Sequence, residues 1–265
     1  MSYARSVLGR RTSARNGRYG SQSKLNSVAN WFSRSPRRIE VPRLRSRTED
    51  LVTTKVDLHE FAPDPMTFLG RAAYVQLTLF ENLSRAISTA PSTAAKTAIG
   101  RAAELSLGKH RMLVDEITKT GGDAAAVMEP STSDVDRFER ATHGADWFET
   151  LVTCYLTAGF LDDFFARLAV GLPADTGRHV AAVYAGQSGE TVLVEQLRAA
   201  IEANPRLASR LAMWGRRLVG DTMLVARSSL QHSANLKSDE ARIEPVFTEL
   251  IAAHTRRMDA LGLTA

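Results

Sequence analysis

Residues 65–87 read PMTFLGRAAYVQLTLFENLSRAI, and their spacing decides the fold class. Leu69, Ala72, Gln76, Leu79, Leu83 and Ile87 recur every three or four residues, which is the period of a helix burying one face. Pro65 stands where a first helical turn tolerates a residue without an N–H. Gln76 is the exception in the stripe, an amide in the middle of an apolar face.

The same period continues downstream. A second helix is expected from near Pro91 through Ile99, Ala102, Ser106, Lys109, Leu113 and Ile117, stopped by Gly121 and Gly122. Residues 123–145 read as a connection containing Pro130 and a short helix around residues 135–141. A third helix over residues 146–172 aligns Leu151, Tyr155, Ala158, Leu161, Phe165 and Leu168. A fourth, residues 174–203, aligns Val183, Gly186, Gly189, Leu193, Leu197 and Ala200. Two glycines inside one helix cost roughly 1 kcal/mol each relative to Ala, so they require close packing, a kink or a relaxed constraint. Asn204 and Pro205 open a fifth helix to about Ser229, and a sixth covers residues 238–261. No strand pattern competes. The reading is all-α: a four-helix bundle with a long connection between its second and third helices, and two additional C-terminal helices.

Charge divides the 265 residues unevenly. Residues 1–47 carry twelve Lys and Arg against Glu40 alone, a net of +11, whereas the remainder sums to −6. The segment is rich in Ser, Arg, Asn and Gly and short of apolar runs, so it does not repay the entropy of ordering. Residues 1–48 are therefore expected to form a disordered basic N-terminal tail, residues 49–64 a linker, and residues 65–263 the helical domain. The tail admits several readings: an arm for RNA, DNA or anionic lipid, with Tyr19, Trp31 or Phe32 stacking on bases; a targeting segment; a solvated extension; or upstream sequence translated from a start codon set too early. Cys154 is the sole cysteine and lies in an apolar stretch, which excludes a disulfide framework and fits a reducing, cytoplasmic setting. No apolar run is long enough to span a bilayer, since residues 151–168 are interrupted by Asp162 and Asp163.

Four segments resemble one family. They are Phe68-Leu-Gly-Arg-Ala-Ala-Tyr-Val-Gln-Leu; Asp146-Trp-Phe-Glu-Thr-Leu-Val-Thr-Cys-Tyr with the later Asp163-Phe-Phe; Asn204-Pro-Arg-Leu-Ala-Ser-Arg-Leu-Ala-Met-Trp-Gly-Arg-Arg-Leu-Val-Gly; and Ala253-His-Thr-Arg-Arg-Met-Asp-Ala-Leu-Gly-Leu. Together they are similar to the actinobacterial ferritin-like proteins classed as MiaE-like tRNA hydroxylases, over about residues 66–263. The resemblance implies a ferritin-like bundle holding a non-haem di-iron or di-manganese centre, with inward carboxylates and histidines on four helices. It also implies hydroxylation of the isopentenyl group of a modified tRNA adenosine.

At the positions where this family would place its ligands, the chain carries Gln76 on the first helix, Ser106 and Lys109 on the second, Ala158 on the third, and Gly186 and Gly189 on the fourth. An amide, a hydroxyl and an ammonium do not replace the hydration of two divalent cations. No metal ligand, no catalytic residue and no cofactor are therefore assigned. A one-residue slip on the second helix would present His110 instead, with Leu107 as its partner. If Lys109 points inward beside Gln76 and Ser106 it must be paired, hydrated or neutral, and its replacement by Met is expected to be neutral or stabilising.

Other donors are plentiful but do not form a ligand set. Glu81, Glu104, His110, Asp162, Asp163, Glu190 and Glu195 read as surface charges or local ion pairs, and His179 and His254 as structural histidines. Gly186-Gln-Ser-Gly-Glu lacks the spacing and the preceding strand of a nucleophile elbow. Gly108-Lys109 lacks the rest of a phosphate loop. Arg216-Arg217 reads as a solvated pair, with RNA phosphate as the functional alternative. The expected function is a non-catalytic binding or scaffold protein with a degenerate metal site. The alternatives are a di-iron tRNA hydroxylase with rearranged ligands and a nucleic-acid-binding protein acting through its basic arm; a homodimer is compatible with each.

Overall fold

Short polar side chains start the helices where the sequence places them. In a computed structural model, which describes residues 58–231 and 235–264, the Asp64 carboxylate accepts from the backbone N–H groups of Met66 and Thr67 at 3.1 Å and opens α1 (Pro65–Thr89). Ser92 likewise caps α2 (Thr93–Lys119) through the N–H of Ala95. Gly121, at φ +86°, supplies the left-handed residue that ends α2, and the N–H of Gly122 returns to the Ile117 carbonyl at 2.9 Å. The basic tail expected over residues 1–48, and most of the expected linker, lie outside the described residues. Leu58 and Phe61, near the end of that linker, are buried in the apolar core.

The connection after α2 is more regular than its sequence suggests. Instead of a short helix at residues 135–141, α3 runs over Ala124–Ala141 and contains Pro130. Asp123 caps it, and Pro130 lies on its exposed side, where the carbonyl it leaves without a donor can bond to water. α3 packs on α1 at Gly70, where an added Cβ would lie 2.1 Å from the Val127 carbonyl oxygen.

α4 (Trp147–Leu168), followed by a 3-10 turn at Ala169–Gly171, is buried nearly all round. Leu151, Val152, Cys154, Tyr155 and Leu156 are buried in near succession, as a central helix requires. It packs against α1 and against α5 (Ala174–Ala185), α6 (Glu190–Ala203), α7 (Arg206–Arg227) and α8 (Leu236–Ala260).

The fourth bundle helix is not continuous. Gly186 is extended (φ −70°, ψ 177°) and ends α5, while Gly189 adopts φ +73° at the start of α6. A Cβ at Gly189 would lie 2.9 Å from the Cα of Ala102, so the break is pressed against α2. The two glycines thus sit in a tight connection, which removes the helix-interior penalty.

The bundle therefore consists of α1, α2, α4 and the broken pair α5 and α6, with α3 outside α1 and the two C-terminal helices α7 and α8 against α4. The segment from Asn204 to Gly220 fastens α7 to the start of α4. Arg210 pairs with Asp146 at 2.5 Å and with Glu149 at 3.0 Å, and the Trp214 indole donates to Thr153 Oγ1 at 2.9 Å. Among the described residues there is no strand, and no helix is long and apolar enough to cross a membrane.

Candidate functional site: a charge-paired bundle centre

The inward stripe of α1 carries Gln76 to the middle of the bundle, and α2 brings Lys109 there; their exposures are 1% and 3%. Lys109 is therefore the inward residue of its turn. His110, the alternative, is tied to the neighbouring helix by a 2.9 Å contact between its Nδ1 and the Ala73 carbonyl.

Lys109 is paired with Asp162, which the sequence reading placed among surface charges or local ion pairs rather than at the bundle centre. Its Nζ lies 2.5 Å from Asp162 Oδ2, and the pair is buried, with side-chain exposures of 4% and 13%. Gln76 Nε2 donates to the other Asp162 oxygen at 2.8 Å, so both carboxylate oxygens are engaged. The Tyr184 ring, stacked on Phe165 at a centroid distance of 6.0 Å, faces the Lys109 ammonium at 5.6 Å. Burial, and secondly the Asp162 charge, push the Tyr184 phenol well above its ordinary pKa. The phenol therefore stays protonated and supplies no anionic oxygen.

This arrangement corrects the expectation for Lys109→Met. Removing the ammonium alone leaves Asp162 buried with one neutral donor, and breaking one half of such a pair is strongly destabilising. Ser106 does not join the cluster, because its hydroxyl donates to the Ala102 carbonyl of its own helix at 3.2 Å. Ala158 lies one turn before Asp162, and Gly186 and Gly189 occupy the α5–α6 break.

At that break a cavity of about 110 Å³ is lined by Asp162, Tyr184, Ala158, Gly159, Glu190 and Arg257, among others. Arg257 reaches it from α8 because Gly159 has no side chain; an added Cβ there would lie 2.2 Å from the guanidinium Nε. Arg257 pairs with Asp163 at 2.9 Å and lies 3.6 Å from Glu190. Tyr155 donates to the Arg257 carbonyl at 3.2 Å, and burial raises its phenol to about 12. At this site three buried polar atoms, Gln76 Oε1, the Tyr184 hydroxyl and Arg257 Nε, have no hydrogen-bond partner among the described residues.

The donors present do not fit a pair of divalent metals. The centre offers one carboxylate, already neutralised by an ammonium, together with an amide and a protonated phenol. Among the described residues no group of three or more His, Cys, Asp or Glu is placed to hold a metal ion. The remaining candidates are dispersed. Glu104 pairs with Arg101 on the surface, while Glu81 and Glu195 are exposed. His179 Nε2 contacts the Met112 carbonyl at 3.2 Å and the buried His254 Nε2 contacts that of Gly215 at 3.1 Å, both structural roles. Ser188 accepts weakly from the Glu190 N–H at 3.4 Å in the connection before α6. Arg216 donates to the Thr264 carbonyl, and Arg217 covers the Trp214 ring at 5.4 Å.

Asp162 and Tyr184 are the site residues that the sequence reading missed. Asp162 lies seven residues after Tyr155 and four after Ala158, so it continues the inward stripe of α4; that register was the available signal. Tyr184 stands four residues after the buried Val180 of α5. Its role depends on the helix break, which spacing alone does not reveal.

Comparison with curated proteins returned no match. Residues 61–238, however, match the family described as the ferritin-like domain of actinomycetes. The all-α bundle with its long α2–α4 connection agrees with that match, and the chain belongs to this actinomycete ferritin-like family.

Proposed function

We propose that this protein is a non-catalytic member of a MiaE-like ferritin lineage, in which the ancestral metal positions have become a structural charge pair and the bundle serves as a binding or scaffold body. The observation that carries this reading is the Lys109 ammonium at the centre, 2.5 Å from the carboxylate that would otherwise be the obvious metal donor there. A cation in that position repels divalent metals, and its removal leaves a donor set too small for two of them.

The bundle retains what a scaffold needs. α4 is enclosed on all sides, and Arg210 and Trp214 lock α7 onto it. The test is oxygen consumption on mixing the full-length protein with ferrous iron under air. The expected rate equals that of ferrous iron with no protein. A protein-dependent burst, with iron retained after desalting, would instead support a working oxidase centre and overturn the proposal.

A further inference from the structure

α7 presents a second, outward seam that no other described element covers. Met213 and Leu224 are 65% and 69% exposed, and among the large apolar residues that stand out at the described surface Val170, at 65%, is comparable. They lie eleven residues apart, close to three helical turns, and so share one face. Between them on that face are Arg217 and Gly220, both exposed, and an added Cβ at Gly220 would meet nothing.

The seam borders a groove of about 210 Å³ between α3 and α7, lined by Phe138, Ala141, Leu224 and Val225 and rimmed by Asp134 and Asp221. Arg137 shares that rim and lies 3.5 Å from Asp134, which also faces Arg71 at 3.8 Å. Asp221 makes no hydrogen bond or ion pair among the described residues. Arg217, one turn before it, has a ring partner and no carboxylate.

We infer that this face is a self-complementary interface, on which a second copy of the chain packs its α7 antiparallel to the first about a two-fold axis at the level of Leu218 and Val219. In that register each Met213 faces Leu224 of the second copy and enters the apolar groove beside it. Methionine, unbranched and adaptable, suits such an insertion. Each Arg217 then crosses at Gly220, where the missing side chain leaves room, and meets the unpaired Asp221 of the second copy. Knob and groove on one surface, both used twice, meet the condition for a closed two-fold dimer. Arg217 lies beside the knob and Asp221 on the rim of the groove, while the other rim charges, Arg137 and Asp134, already face each other, so the same contact is also complementary in charge.

Sedimentation equilibrium of the full-length protein tests this, using wild type, Met213→Glu, Leu224→Glu, Arg217→Glu, Asp221→Arg and the double variant Arg217→Glu/Asp221→Arg. Circular dichroism checks that each variant is folded; all these positions are on the surface or its edge. The expected result is a concentration-dependent dimer, weakened at least about tenfold by either glutamate in the apolar seam. Each single charge reversal should weaken it, and the double reversal should restore it. A monomer throughout the range, a dimer indifferent to Met213→Glu, or a double reversal no better than the single ones would each overturn the inference.

Discussion

Replacing Lys109 by Met removes the ammonium and leaves the Asp162 carboxylate in the bundle centre with Gln76 as its one remaining donor. The two side chains are 4% and 13% exposed, so solvent screens the lost interaction little. Truncating one member of a buried pair of this kind costs about 3–5 kcal/mol. For a body of this size, 1 kcal/mol moves the melting temperature by roughly 2–4 °C, so the variant should melt about 6–20 °C lower. Thermal unfolding followed at 222 nm measures this directly. The companion variant Lys109→Met/Asp162→Leu, which removes both charges, should recover most of the loss, because a well-packed apolar replacement of a buried pair is often neutral or stabilising. The cycle closes with Asp162→Leu alone, which strands the ammonium and should be as damaging as Lys109→Met. A single Lys109→Met variant within about 1 kcal/mol of wild type, or a double variant that sums the two single losses, would refute the pairing.

The α5–α6 break gives a second test through its two glycines. Gly189→Ala must hold a left-handed residue and crowd Ala102, for a cost of about 2 kcal/mol or more, whereas Gly186→Ala, at φ −70°, should cost less than about 1 kcal/mol. A continuous helix would instead gain roughly 1 kcal/mol from either change in chemical denaturation. A third concerns pH. Burial lowers the pKa of His254, with the Arg257 charge acting in the same direction against a hydrogen bond to the Gly215 carbonyl. With the folded value depressed, the neutral ring's contribution to stability is complete above the unfolded pKa of about 6.5 and declines as the pH falls below it. His254→Gln should flatten that part of the stability profile between neutral and mildly acidic pH; an unchanged slope would assign it to other groups.

Helix starts and stops were legible because they rest on local chemistry. Pro65, Pro91 and Gly121 act within about a turn of their own position, and the register that put Gln76 and Lys109 inward came from apolar spacing alone. The fourth helix was misread for a related reason. Valines and leucines on both sides of Gly186 and Gly189 keep a helical period, and what interrupts the chain is the close approach to Ala102, a residue some ninety positions away in sequence. α3 was underestimated because Pro130 suggests a stop, yet its exposed side tolerates the missing N–H. The bundle centre was half legible. Sequence placed Gln76 and Lys109 at the centre, but the partner of Lys109 comes from another helix, and an Asp-Asp dipeptide does not announce that Asp162 turns inward while Asp163 turns to Arg257.

If the charge pair stands where two metals would be held, as the proposed function has it, metal content is the most direct test. Full-length protein produced in medium supplemented with iron and manganese, purified without chelators, should carry far less than one metal per chain by elemental analysis. Stoichiometric iron or manganese, accompanied by an oxo-bridge absorption band in the iron form and lost on mutation of Asp162, would contradict it.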